Sequence, residues 1–125
     1  MRRISLILLT GLLIGGSWLL PSSGRAVELQ TLLEAPSRYD GQQVTVGGRA
    51  SAPRFNESRG KPFTVFDLTD GAGHAIRIFS WDRLPFHEGD LVAVEGIFLK
   101  AKQVGRHTIH NEIEARSVRL LSESH

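Results

Sequence analysis

The sequence predicts an all-β domain: five short strands curled into a small barrel behind one short helix. Three observations predict it. Beyond residue 43 the apolar side chains recur with a period of two, which is the spacing of a strand with one buried face. Turn-forming residues punctuate these runs, as in Asp70-Gly-Ala-Gly73 and in the stretch holding Pro85 and Gly89. The adjacent Gly47 and Gly48 fall inside such a run, where a strand must bend sharply or let another backbone come close.

The N-terminus reads differently. Met1-Arg-Arg is followed by an almost wholly apolar run from Ile4 to Leu20 and then by Pro21-Ser-Ser-Gly-Arg-Ala26. A basic start, an apolar stretch and a run of small residues form the pattern of a secretory signal peptide over residues 1–26. The same run is near the lower length of a membrane span, roughly 17 residues, so an uncleaved anchor is the alternative. The expected location is exported, periplasmic or extracellular, or held at the inner membrane if the segment stays on.

Removing the leader changes the charge argument. Three of the 15 Lys and Arg residues lie in it (Arg2, Arg3 and Arg25), leaving 12 cations against 13 carboxylates, a net charge of −1 over the remaining 99 residues. Total charge therefore gives no case for a nucleic-acid binder, and any such case rests on charge distribution. That length supports one core and one domain. The chain has no cysteine, which excludes disulfides and lipid attachment through a thiol. Residues 27–121 are expected to form the domain and residues 122–125 a frayed tail.

The elements follow in order. Leu29, Leu32 and Leu33 share one helical face, and Pro36 ends the helix. After a turn at Tyr39-Asp-Gly41, residues 44–50 alternate as the first strand, with Val44, Val46, Gly48 and Ala50 on one side. Residues 53–62 read as a polar loop. Residues 63–69 and 75–81 form a hairpin across the Asp70 turn. Residues 82–90 connect to a fourth strand, 91–100, whose Val92, Val94, Gly96 and Phe98 share a face. A second polar loop spans 101–110. The fifth strand, 113–121, is expected to carry a bulge, since Ile113 and Ala115 are out of phase with Val118 and Leu120.

Four motifs carry a resemblance: Val44-x-Val-x-Gly48, Phe66-x-Leu-x-Asp-Gly71, Gly89-Asp-Leu-Val-Ala-Val-x-Gly96 and Asn111-Glu-Ile-Glu-Ala115. Together they resemble the strand signatures of OB-fold proteins, nearest to the anticodon-binding type found in single-strand nucleic-acid proteins. The resemblance implies a five-stranded Greek-key barrel with a ligand lying across its second and third strands, gripped by the loops between strands one and two and between strands four and five. OB-folds also bind sugars, peptides, metals and proteins, so the motifs specify the fold better than the ligand.

With Phe66, Leu68, Ile76 and Ile78 pointing inward, the outer face of the hairpin carries Phe63, Val65, Arg77, Phe79 and Trp81. Aromatic rings beside an arginine are what base stacking needs; packing of those rings under a loop or the helix is the alternative. In or beside the two loops lie Arg49, Arg54, Arg59, Lys61, Lys100, Lys102 and Arg106, seven of the 12 cations, against Glu57 alone. The expected ligand is single-stranded nucleic acid or another anion. The alternative is an envelope or stress module whose basic mouth meets an acidic protein, a glycan or a lipid headgroup.

Other chemistries find little support. His107-Thr-Ile-His110 would place its rings on opposite sides of a strand, with no cysteine to complete a metal set. Glu112 and Glu114 read as the polar face entering the fifth strand. The exported haem chaperone of cytochrome c maturation shares the fold class, but its histidine–tyrosine pairing has no counterpart here, since the only tyrosine is Tyr39. There is no Gly-x-Ser-x-Gly elbow, and Asp67 and Asp70 sit where turns favour aspartate. The sequence reads as a binding module without cofactor or metal, not an enzyme.

Overall fold

The computed structural model describes residues 25–124. The leader up to residue 24 and the final His125 lie outside the described residues. Two short helices open the domain, α1 (Leu29–Glu34) and α2 (Pro36–Tyr39). Leu29, Leu32 and Tyr39 are buried and join the hydrophobic core of the barrel. Pro36 does end α1, but it also starts α2 as its first residue, where a missing N–H costs nothing.

Six strands follow the chain: β1 (Arg25–Ala26), β2 (Gln43–Ser58), β3 (Lys61–Thr69), β4 (Ala75–Ser80), β5 (Leu91–Val104) and β6 (His107–Ser122). The five long ones close into a barrel in the order β2-β3-β4-β6-β5, with β5 returning to β2. β4 and β6 run parallel; the other long pairs are antiparallel. The short β1 was not expected. Its residues, assigned to the leader from sequence, pair in parallel with Val44 and Thr45.

β2 serves two neighbours by changing partner midway. Its first half pairs with β5 and its second with β3, and the exchange falls at Arg49. Gly48 permits it, because a Cβ there would sit 2.6 Å from the Thr69 carbonyl oxygen. A bulge follows at Ala52, whose φ of 53° is stabilised by Glu88: one carboxylate oxygen accepts from the Ala52 N–H at 2.7 Å and the other from the Ser51 hydroxyl at 3.0 Å.

The inward face is as the alternation predicts: Val44, Val46, Phe66, Leu68, Ile78, Val92, Val94, Phe98 and Ile113 are fully buried. The connection 81–90 is tied down. The buried Thr64 hydroxyl donates to the Asp82 carbonyl at 2.7 Å and accepts from the Leu84 N–H at 3.0 Å, while Phe86 packs edge-on to Phe66. The expected bulge of the last strand falls at Arg116, between the pairs Glu95–Ser117 and Gly96–Ala115.

Both polar loops of the sequence reading are corrected. Residues 53–62 and 101–110 continue the strands as two hairpin arms. The first arm turns at Arg59-Gly60, both with positive φ (52° and 80°), as a type I′ turn needs. The second turns at Gly105-Arg106, where only Gly105 (61°) is positive, as in type II′.

Ser122 ends β6 opposite Leu91, and the Ser124 N–H donates to the buried Asp90 carboxylate at 2.9 Å. That carboxylate also accepts from the His87 N–H at 2.9 Å. These bonds, His87's first and then Ser124's, hold Asp90 below the ordinary carboxylate range. A depressed pKa gives stability that is complete above the unfolded aspartate value, about 3.9, and is lost as pH falls through the folded one. The Ser124 amide should therefore lose hydrogen-exchange protection below about pH 3.9 before the barrel amides do. Asp90→Asn should remove that pH dependence.

Candidate ligand groove

The two arms stand on either side of the β3–β4 outer face and enclose an open groove of about 560 Å³. Glu57 and Ser58 line it from the first arm, and Lys102, Gln103, Val104 and Ile109 from the second. Phe63, Arg77, Phe79, Trp81 and Glu112 form the floor. Residues directly opposed in a sheet share a face, and the register puts Phe79 beside Val65 and Glu114, and Arg77 beside Glu112.

The aromatic side chains form one cluster. Phe63 stacks on Phe79 at 5.3 Å between centroids, and Trp81 meets both edge-on, at 5.9 Å from Phe63 and 5.0 Å from Phe79. Two ammonium groups lie over the rings. Lys61 Nζ is 4.7 Å from the Trp81 centroid and Lys102 Nζ is 4.5 Å from that of Phe79. Phe63 and Phe79 are half-buried, whereas Trp81 remains 51 % exposed. Two rings thus support each other on the open floor and the third faces solvent; none is packed under the N-terminal helices. Val65, on the same face opposite Arg54, is buried and offers nothing to a ligand.

The cations divide into three groups. Arg77 and Lys102 reach the groove but are paired. Arg77 Nε donates to Glu112 at 2.8 Å, and Lys102 Nζ donates to Glu112 at 2.8 Å and Glu114 at 2.7 Å. Burial alone would lower the Lys102 pKa; the bonds to the two carboxylates outweigh it and raise it above the ordinary lysine value, so the ammonium stays charged. Arg54, Arg59, Lys61 and Arg106 are exposed, with Arg59 and Arg106 at the hairpin tips. Arg49 and Lys100 are not brought to the groove. Arg49 donates to the Gly89 carbonyl at 2.9 Å, and Lys100 Nζ to the Ser37 hydroxyl at 2.9 Å.

Glu112 is the groove residue whose burial the sequence did not foretell. Its side chain does lie on the outer face, but it is fully buried there under its own cations. The alternation assigns the face and says nothing of cover. No local pattern signalled this cover, because its partners lie 35 (Arg77) and 10 (Lys102) residues away along the chain. His107 and His110 occupy β6 at opposite parity, and among the described residues no three His, Asp or Glu side chains gather as a metal set. No helix among the described residues is long and apolar enough to cross a membrane.

No protein-family model and no curated protein matches the sequence. The likeness is to solved structures, all at low identity. A putative aspartyl-tRNA synthetase from Leishmania major Friedlin superposes with a TM-score of 0.61 at 18 % identity, over 85 % of this chain and 22 % of the synthetase. The small single-stranded DNA-binding protein of Streptomyces coelicolor gives 0.53 at 17 %, over 65 % of this chain and 93 % of that one. An OBody bound to hen egg-white lysozyme gives 0.56 at 16 %, over 85 % of this chain and all of the OBody. These likenesses establish the architecture: an all-β OB-fold barrel with short N-terminal helices.

Proposed function

We propose that this OB-fold domain is an exported binding module, without catalytic activity, that takes single-stranded nucleic acid in the groove between its two hairpin arms. The observation that carries the reading is the Phe63–Phe79–Trp81 cluster, with half of Trp81 open to solvent and Lys61 lying over its ring. A base can replace the ammonium on the ring face, and the freed lysine can meet the adjacent phosphate. Arg54, Arg59 and Arg106 extend the charge along the arms. The OB-fold neighbours, among them a single-stranded DNA-binding protein, support the class of ligand. The leader pattern supports export to the periplasm or beyond.

The test is a titration of the full chain carrying Trp18→Phe, so that Trp81 is the only fluorophore of its kind, with single-stranded DNA and RNA. Saturable quenching that weakens with salt is the expected result, with Trp81→Ala lowering affinity about tenfold. An unchanged signal together with unchanged anisotropy of a labelled oligonucleotide would refute the reading.

A second reading has one observation in its favour. Arg59 and Arg106 stand at the tips, apart from the aromatic cluster, where an acidic envelope protein, a glycan or a lipid headgroup could meet them by charge alone. Binding of that kind should fall with salt and with the loss of either arginine, and be indifferent to Trp81→Ala.

A further inference from the structure

The groove is electrically lopsided. On the β2–β3 arm Arg54, Arg59 and Lys61 make no ion pair among the described residues and face one carboxylate, Glu57. On the opposite side Arg77 and Lys102 are balanced by Glu112 and Glu114, so that this half of the floor carries no net charge. A phosphate backbone gains by lying along the first arm. It gains less along the second, where Lys102 already bonds two carboxylates and the exposed Arg106 stands at the tip.

Glu114 is placed to be read by something other than a phosphate. It lies beside Phe79 on the outer face and is 44 % exposed. Lys102 Nζ holds its Oε2, and the carboxylate takes no other bond among the described residues, which leaves Oε1 as an acceptor on a residue that neighbours Phe79 in register, outside the lining of the groove itself. A carboxylate accepts from the exocyclic amine of a base, as from N4 of cytosine. The corresponding edge of thymine or uracil presents carbonyl oxygens on both sides of one N–H and repels it.

Building on the nucleic-acid reading of this groove, we infer that the strand runs with its phosphates along the β2–β3 arm and its base edges toward β6, where Glu114 selects amine-bearing bases over thymine and uracil. Lys61 supplies affinity and salt dependence. Glu114 supplies the discrimination.

The experiment follows anisotropy of labelled oligo(dC) and oligo(dT), each about eight nucleotides long, with the full chain at fixed salt. Oligo(dC) should bind roughly fivefold tighter. Glu114→Gln, whose amide both donates and accepts, should bring the two affinities together. Lys61→Gln should weaken both equally and flatten their salt dependence by about 0.7 in log–log slope. Equal affinities for the two oligonucleotides, or a preference that Glu114→Gln leaves untouched, would overturn this inference while the nucleic-acid reading stands. Failure of both to bind would overturn the two together.

Discussion

Gly96→Ala is expected to lose about 3 kcal/mol of folding free energy, which for a domain of this size is a fall in Tm of roughly 12–24 °C. The added Cβ would fall on the Glu114 carbonyl oxygen and 2.7 Å from Ala115 Cα. Both obstacles are backbone of the neighbouring strand, at the bulge around Arg116, so no rotamer change relieves the overlap. The strands must part where β6 carries Glu112 and Glu114, so groove and barrel should fail together. Gly47→Ala is the control: its Cβ would meet only the Val92 carbonyl oxygen, at 3.8 Å, and stability should stay within about 0.5 kcal/mol. Thermal unfolding of the two variants measures the contrast. Similar melting temperatures would mean that the close approach of β5 and β6 does not constrain the fold.

The second large effect concerns which member of the buried cluster is removed. Glu112 is fully buried, whereas Arg77 is 38 % and Lys102 21 % exposed by side chain. Replacing both cations by methionine strands a carboxylate without partners inside the protein, at a cost of about 3 kcal/mol or more. Glu112→Gln leaves two cations that can turn to water, and should cost about 1 kcal/mol. Urea denaturation of the two variants tests the ordering, and an equal or reversed ordering would refute it. The same asymmetry gives a pH signature. With its pKa raised, Lys102 contributes stability that is complete below the unfolded lysine value and is lost as pH rises through the folded one.

What the sequence made legible, and what it concealed, follows from one rule: alternation reports a face, not the length of a strand or what covers it. Val44, Val46, Val92, Val94 and Phe98 alternate because one side of each strand meets the core, and they are buried as expected. Beyond the barrel wall the arms have little core to face. Arg54, Asn56 and Ser58 are as exposed as Phe55 and Glu57, so the period fades and the segment looks like a loop. Arg59-Gly60 and Gly105-Arg106 were turn signals already present in the sequence, and two-residue turns imply paired strands on either side. The rings of Phe63, Phe79 and Trp81 fell on the outer face through Phe66 and Leu68, whose burial sets the register. The division of the cations was not legible. Arg49 and Lys100 are turned away by a carbonyl and a hydroxyl far along the chain, which no local pattern encodes.

The arms and the barrel also differ in how they can form. Each arm closes through a two-residue turn and depends only on neighbours in sequence, so it can assemble within microseconds. The barrel closes only when Val44 finds Gly96 and Arg77 finds Glu112, pairings that span much of the chain and must await slow, long-range search. The walls of the groove are therefore early structures and its floor a late one. In that order the basic tips are in place before the platform between them, which only the last closure of the sheet completes.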